Sequence, residues 1–179
     1  MKTSILLLFV IFFSCNEKTK NNSEDLNNNK LINSPELTVS IQFKSNKADN
    51  FRLSLNNIIV DEYQNKNIQI IEKIQPSTNF DEISANFGPN NISNNIVINL
   101  GNKQEKRIQI KNIKISYEDK EIYIDNVVDF KTHFAYNKFI KLDSLSNIII
   151  NTIEKEGVIN PVIYSKKNLT YFLTSKTSI

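Results

Sequence analysis

The stretch that decides the fold is residues 36–55, ELTVSIQFKSNKADNFRLSL. Every second residue is apolar in its first half and again at its end. These apolar residues are Leu37, Val39, Ile41, Phe43, Phe51, Leu53 and Leu55. A period of two is the pattern of a strand that buries one face. The polar run at 45–50 is typical of a turn, so the stretch predicts two strands joined as a β-hairpin.

The same alternation marks further strands. They are predicted at residues 58–63, 68–74, 96–100, 108–117 and 122–124. Ile71 breaks the alternation, which indicates a bulge or a strand buried on both faces. The apolar residues change phase between Ile110 and Ile113, so a bulge is predicted near Lys111 and Asn112.

Two connecting segments are interpreted as loops. Residues 76–89 form the longer one, in which Phe80, Ile83 and Phe87 are expected to cap one end of the core. Residues 118–120 are polar and predict a tight turn between two strands.

The C-terminal third is less regular. Residues 127–134 are predicted as a strand. Residues 147–156 fit either a helix or a buried strand, and strand or mixed structure is favoured because β-branched residues dominate. Residues 158–164 and 169–173 are predicted as a last pair of strands, with Pro161 at an edge or a strand start.

Many short strands separated by polar turns predict an all-β fold, an antiparallel β-sandwich of jelly-roll-like form, over residues 36–179. Alternating strands and helices of the βαβ type are absent from the pattern, which argues against a parallel doubly wound sheet. Hydrophobic residues make up 40% of the chain, which suffices for one domain with a sizeable core.

The first 15 residues, MKTSILLLFVIFFSC, form a different kind of segment. Lys2 precedes a continuous apolar run at 5–13, which is shorter than the roughly 20 residues that cross a bilayer. A basic start, a short apolar run and a small residue before the cut are typical of a secretory signal peptide. An ordinary cleaved signal peptide and an apolar strand packed in the core remain as alternatives to the interpretation that follows.

The end of this segment reads Phe12, Phe13, Ser14, Cys15 and contains the only cysteine of the chain. It resembles the relaxed lipobox of bacterial lipoproteins from Bacteroidetes. The resemblance implies that residues 1–14 are cleaved as a signal peptide and that the Cys15 sulfur, a good nucleophile as a thiolate, carries the lipid. Two or three acyl chains, palmitate among them, would hold the protein to the membrane far more firmly than one. The implied location is the cell envelope, at the outer membrane, on either its periplasmic or its surface face.

Residues 15–35 connect the lipidated cysteine to the domain. The segment is rich in Asn and poor in apolar residues, so it is predicted to be a flexible linker with a reach of about 25 Å. Glu17, Glu24 and Asp25 are interpreted either as a surface-export cue or as ordinary residues of a solvated linker.

The middle of the chain has a second informative order: an aromatic strand start at Phe51, a loop with two further Phe residues, IVINLG at 96–101 and IQIKNIKI at 108–115. This order, which runs from Phe51 to Ile115, resembles jelly-roll modules of cell-surface and polysaccharide-handling proteins. The resemblance implies a sandwich with a glycan-facing surface and implies no catalysis.

Four tyrosines are the candidate ligand-binding residues. They are Tyr63, Tyr117, Tyr123 and Tyr136. Tyrosine combines an apolar ring face with a polar tip, which suits the stacking of a sugar. The alternative is that these rings pack in the core and on the faces of the sheets.

Residues that carry most catalytic and metal chemistry are scarce. His133 is the only histidine, so a zinc site or a nucleophile paired with a histidine base is not expected, and His133 is interpreted as structural. Three glycines are too few for a glycine-rich phosphate loop. The sequence therefore predicts no metal, no cofactor and no enzymatic activity.

Neighbouring carboxylates are the remaining candidates for a calcium site or a general acid and base, with solvated turns as the alternative. They are Asp61, Glu62, Asp81, Glu82, Glu118, Asp119, Glu121, Asp125 and Asp129. Four lysines, Lys103, Lys106, Lys111 and Lys114, are interpreted as a charged sheet edge that resists pairing with other strands, with weak binding to anionic glycans or headgroups as the alternative.

The net charge of +3 is small, and the basic residues include only two arginines, Arg52 and Arg107, so no nucleic-acid partner is expected. The sequence therefore predicts a membrane-anchored envelope lipoprotein with a non-catalytic β-sandwich that has an interaction or structural role. The expected partner is an envelope protein. The alternative is a carbohydrate-binding module acting on cell-surface or extracellular glycans.

Overall fold

The computed structural model describes residues 34–143 and 147–175. The lipobox, Cys15 and the linker up to residue 33 lie outside the described residues. Within the described part the strands are β1 (Glu36–Ser45), β2 (Asp49–Ile59), β3 (Asn65–Ile74), β4 (Asp81–Pro89), β5 (Asn95–Asn99), β6 (Arg107–Tyr117), β7 (Lys120–Ile124), β8 (Phe134–Tyr136), β9 (Ile140–Asp143), β10 (Ile148–Thr152) and β11 (Val162–Ser165). The helices are α1 (Val127–His133) and α2 (Lys167–Thr174). No helix in the described ranges is long and apolar enough to cross a membrane.

The strands form two antiparallel sheets packed against each other. Sheet A has the order β4-β1-β6-β10-β9, and sheet B has the order β3-β2-β5-β11-β8. Strands β10 and β7 pair with the same edge of β6. Strand β10 pairs with the N-terminal half of β6, and β7 pairs with the C-terminal half. The predicted all-β antiparallel sandwich is thus confirmed, whereas the jelly-roll resemblance of the segment from Phe51 to Ile115 stays a prediction.

The core lies between the two sheets and is built by the alternating apolar residues. Burial along β1 alternates residue by residue, as the period of two requires. Phe43 from sheet A meets Phe51 from sheet B with ring centroids 5.1 Å apart. The predicted bulge in β6 is also confirmed: β1 pairs Gln42 with Asn112 and Phe43 with Ile110, which leaves Lys111 as the extra residue.

The predicted hairpin between the first two strands is wrong, although both strands are confirmed. Strand β1 pairs with β4 and β6 in sheet A, whereas β2 pairs with β3 and β5 in sheet B. The polar segment between them crosses from one sheet to the other and buries Ser45 and Asp49. An alternating pattern tells which face is buried but not which strand is the neighbour, and here the two apolar faces meet across the core.

Three other predictions in this half are wrong. The short strand at 58–63 does not form, because Ile58 and Ile59 complete β2 and a bend follows. Ile71 lies on edge strand β3 with 56% of its surface exposed and in unbroken register, so it marks neither a bulge nor a doubly buried strand. The loop at 76–89 is mostly strand β4, and Phe80 lies outside the core with the Lys44 Nζ 4.3 Å from its ring centroid.

The C-terminal third contains both helices. Residues 127–133 form α1 instead of a strand, because the Asn126 side chain accepts hydrogen bonds from two backbone N–H groups of the first turn, which is the geometry of a helix N-cap. Strand β10 settles the alternative at 147–156 in favour of a strand. Pro161 directly precedes β11, as expected, but the last predicted strand is helix α2, whose Leu169 and Leu173 are buried.

Candidate functional site

The structure does not bring the four predicted tyrosines together. Tyr63 lies in the bend after β2 and is 91% exposed, whereas Tyr136 lies on β8 at the opposite edge of sheet B. Tyr123 and Tyr117 lie on the β6–β7 hairpin of sheet A. Tyr123 pairs with Lys114 on the outer face, and Tyr117 packs against the core. Burial and the charge of Glu118 raise the pKa of Tyr117 above its ordinary value.

Several of the candidate carboxylates have structural partners. Asp61 accepts from the Tyr63 backbone N–H at 2.8 Å, and Glu82 accepts from the Gln42 amide at 2.8 Å. Asp129 accepts from the Asn126 amide at 2.6 Å. Among the described residues, no three His, Cys, Asp or Glu side chains are placed to share a metal ion. His133 ends α1, and its Nδ1 is buried without a hydrogen-bond partner among the described residues.

A buried ion pair between Asp49 and Lys106 was not predicted. The Lys106 Nζ lies 2.8 Å from the Asp49 Oδ2, and both side chains are excluded from solvent. The Asp49 carboxylate also accepts from the backbone N–H groups of Asn50 at 2.7 Å and Lys103 at 3.0 Å. The Lys106 ammonium donates to the Gly101 carbonyl at 3.4 Å.

These bonds connect the two chain segments that cross between the sheets, before β2 and after β5. Burial alone would raise the pKa of Asp49, but the hydrogen bonds from Lys106, Asn50 and Lys103 and the charge of Lys106 together hold it below its ordinary value. All of these partners belong to the chain itself, so we interpret the ion pair as a contact that stabilises the fold. The interpretation of the four lysines as one sheet edge is wrong, because β6 is paired on both sides and Lys106 is buried.

The outward-facing residues of sheet B form a surface to which every strand of the sheet contributes. Its members, defined here as the sheet B face, are Arg52, Ser54, Gln69, Ile71, Val97, Asn99, Ala135, Val162 and Tyr164. Ile71 is 56% exposed and Tyr164 is 41% exposed, with Val97 half-buried beside Tyr164 in the register. Ser54 and Val162 on this face are buried. Strand β2 separates Ile71 from Val97, so the apolar side chains that adjoin one another are those of Val97, Tyr164 and Ala135.

The outer face of sheet A has a different character. Ser40 and Ser84 share a hydrogen bond of 2.8 Å, and the Gln42 side chain accepts from the Asn112 amide at 2.9 Å while it donates to Glu82. This polar ladder satisfies its own groups across three strands. The two outer faces are therefore not equivalent. Polar side chains bond to one another on sheet A, whereas Val97 and Tyr164 lie side by side on the sheet B face.

An open cleft of about 540 Å³ lies at the end of the sandwich where the described chain begins. Its lining, defined here as the Asn cleft, is Asn57, Ile59, Asn90, Ile92, Ser93, Asn94, Lys167 and Tyr171. These residues come from the end of β2, the β4–β5 connection and α2. Ile59 is 78% exposed and Tyr171 is 74% exposed, so two large apolar surfaces face solvent beside three side-chain amides.

The backbone of the cleft is fixed by local bonds. Asn57 and Asn90 have φ of 57° and 58°, a left-handed conformation that Asn tolerates better than most residues. The Asn90 N–H donates to the Pro35 carbonyl at 2.8 Å. Ser93 donates from its hydroxyl to the Asn56 carbonyl and accepts from the Asn95 N–H at 3.1 Å.

Sequence reasoning missed Tyr171 because residues 169–173 were predicted as a strand. The signal that identifies the helix is the spacing of Leu169 and Leu173, which are four residues apart and both buried. On a helix with that buried side, Tyr171 lies away from the core.

Comparison of the chain with models of known protein families, with characterised proteins and with solved structures finds no match to any of them. The sheet B face and the Asn cleft are the two surfaces from which a function can be argued.

Proposed function

We propose that this protein is a lipoprotein of the bacterial cell envelope, anchored at the outer membrane through Cys15, whose β-sandwich is a non-catalytic interaction domain. The observation that carries the interaction role is the group of adjoining apolar side chains on the sheet B face, Val97, Tyr164 and Ala135. Adjoining apolar side chains at a surface are typical of binding sites. The polar, internally bonded face of sheet A provides the contrast within the same molecule.

The composition of the sheet B face favours a protein partner. Aromatic residues and arginine are enriched in protein interfaces. Here Tyr164 pairs with Val97, and Arg52 pairs with Asn99 on the same face. The charged residues at outward positions of the strands of sheet B, all of which the structure describes, are Arg52 and Lys73. We therefore propose a partner with an apolar patch and acidic residues around it.

The anchor limits where that partner lies. The first strand begins at Glu36, and a flexible linker of about 20 residues has a root-mean-square reach of about 25 Å. A domain attached in this way stays close to the membrane surface, so the partner is an envelope protein. The anchor at Cys15 and the sheet B face are tested independently of each other.

The anchor is tested by metabolic labelling with palmitate. We expect label in the wild-type protein and none in Cys15→Ala, because only a thiol accepts the lipid as a thioether. After cell fractionation, the Cys15→Ala protein should also be absent from the membrane fraction. Equal labelling of the two proteins would contradict the proposed anchor.

The interface is tested by cross-linking of the full-length protein in intact cells, followed by identification of the captured protein and reciprocal capture. Ile71→Glu places a carboxylate on the edge strand of the sheet B face and should abolish capture of an acidic envelope protein. Ser84→Glu adds the same charge to the outer face of sheet A and is the matched control. Unchanged capture by Ile71→Glu, or equal loss with Ser84→Glu, argues against this interface.

Carbohydrate binding is the second candidate function. The four tyrosines predicted for it lie on different sheets and faces, so they do not support it as a common platform. The Asn cleft supports it instead, because an exposed tyrosine ring stands beside side-chain amides there.

A further inference from the structure

We propose that the Asn cleft binds a neutral oligosaccharide, with one sugar ring stacked on Tyr171 and its hydroxyl groups bonded to the amides of Asn57, Asn90 and Asn94. This inference rests on the second candidate function, carbohydrate binding, and is independent of the sheet B face. It assigns a ligand class and a set of binding residues at the end of the sandwich.

The size and walls of the cleft fit such a ligand. A volume of about 540 Å³ lies within the range of small-molecule sites, which are mostly apolar clefts with a few polar groups. Ile59, Ile92 and Tyr171 supply the apolar walls. A sugar ring has the same mixed character, since its C–H face is apolar and its rim is hydroxylated.

The polar groups of the cleft are suited to hydroxyls. Each Asn side chain offers one carbonyl acceptor and two N–H donors, and a hydroxyl both donates and accepts. The side-chain amides of Asn57, Asn90 and Asn94 make no hydrogen bond to another residue in the described ranges, and all three residues line the cleft. No carboxylate is among the lining residues that the structure describes, which favours a neutral ligand over a cationic one.

Hydrogen bonds within the chain order the backbone of the cleft in the absence of a ligand. The Asn57 N–H donates to the Asn67 side chain at 2.8 Å, and the Asn90 N–H is held by Pro35. Ser165 bonds the Asn94 carbonyl at 3.1 Å and the Ile96 N–H at 2.9 Å. A site whose backbone is already ordered loses less conformational entropy on binding.

Tyr171 is positioned by its helix. Leu169 and Leu173 on either side of it along the chain are 0% and 1% exposed, which fixes α2 on the sandwich. The tyrosine ring is 74% exposed, so stacking would remove apolar ring surface from water without displacing any core side chain.

The test uses the full-length protein purified in detergent. It is screened on an array of neutral and amino-sugar oligosaccharides and then titrated calorimetrically with the bound glycans and with two defined probes, chitotetraose and maltotetraose. We expect at least one oligosaccharide to bind the wild type. Tyr171→Ala should weaken that binding about tenfold or more, since stacking surface is lost, whereas Tyr171→Phe should retain it within about threefold.

Tyr63→Ala is the matched control, because Tyr63 is even more exposed than Tyr171 and is not among the residues that line the cleft. Asn94→Ala should also weaken binding, with an unchanged far-ultraviolet circular dichroism spectrum. The proposal is overturned if no glycan binds the wild type, if Tyr171→Ala binds as the wild type does, or if Tyr63→Ala loses as much. Capture of a peptide in place of a glycan, lost with Tyr171→Ala, would also overturn it. None of these outcomes bears on the palmitate labelling or on capture through the sheet B face.

Discussion

The Lys106 ammonium group lies 2.8 Å from the Asp49 carboxylate, and neither side chain is exposed by more than 1%. The pair joins the crossing before β2 to the crossing after β5, and it is the one place among the described residues where two opposite charges are buried together. The Lys106 backbone adds to the connection, because its N–H donates to the Thr152 hydroxyl at 2.8 Å and its carbonyl accepts from the Thr152 N–H at 2.9 Å.

Removal of one member of this pair should be strongly destabilising. Lys106→Met leaves the Asp49 carboxylate buried without its counter-charge, and the expected loss in the free energy of unfolding is about 3–5 kcal/mol. Chemical denaturation of the two proteins measures it. Lys114→Met is the control, because Lys114 pairs with Glu121 at 2.6 Å while both are nearly half exposed, and its expected effect is about 0–1 kcal/mol. Equal losses in the two variants would show that the buried pair does not stabilise the fold.

The same carboxylate should make stability depend on pH in the acidic range. The pKa of Asp49 in the folded chain lies below its ordinary value, since hydrogen bonds from Lys106, Asn50 and Lys103 outweigh the effect of burial. The ionised form therefore stabilises the fold fully above the unfolded-state pKa of about 4, and this contribution is lost as the pH falls toward the folded-state pKa.

Urea denaturation from pH 6 to pH 3 measures this dependence. The free energy of unfolding of the wild type should fall more steeply below about pH 4 than that of Asp49→Asn, because the asparagine side chain does not titrate. Parallel curves for the two proteins would contradict the assignment.

Gly101 should be intolerant of a side chain. Its φ is +80°, and a Cβ built there would overlap the Asp49 carboxyl group. Gly101→Ala combines left-handed strain with displacement of the buried pair, so we expect a loss of about 2–5 kcal/mol. Gly157 has a φ of +74° with no atom within 4 Å of such a Cβ, so Gly157→Ala should cost only about 1–2 kcal/mol from the backbone alone. Equal decreases in melting temperature in the two variants would contradict the expected overlap between the added Cβ and Asp49.

Most of the strands were predictable from the sequence, but their partners were not. Strand β4 was predicted as a loop, and the segments that form α1 and α2 were predicted as strands. The phase change between Ile110 and Ile113 was enough to predict the bulge, because a slip of one residue moves a side chain to the other face. The alternation in β1 and β2 gave no information on the crossing between sheets. That crossing depends on the burial of Asp49, which needs a counter-charge from a residue far along the chain.

The candidate sites were not predictable either, because they too depend on contacts between residues that are far apart in the sequence. Lys106 was grouped with three exposed lysines, because a charge pattern alone does not identify the single lysine that meets a buried carboxylate. The Asn cleft combines three separate segments, and its amides were indistinguishable from the many other Asn residues of the chain. Tyr171 was missed because β-branched and aromatic neighbours favoured a strand, which tertiary packing of Leu169 and Leu173 overrode.

Asn126 should account for the helix that replaced the predicted strand at 127–134. Its side chain accepts from the N–H groups of Val128 at 3.0 Å and Asp129 at 2.9 Å, and a helix as short as α1 has marginal stability of its own. Asn126→Ala should destabilise the protein by about 1 kcal/mol and speed hydrogen exchange of the α1 amides more than that of the β1 amides. Asn126→Ser keeps an acceptor at the cap and should retain most of the protection. If exchange in α1 is the same in Asn126→Ala as in the wild type, then the helix is held by the packing of Val127 and Phe130 on the core and the cap contributes little.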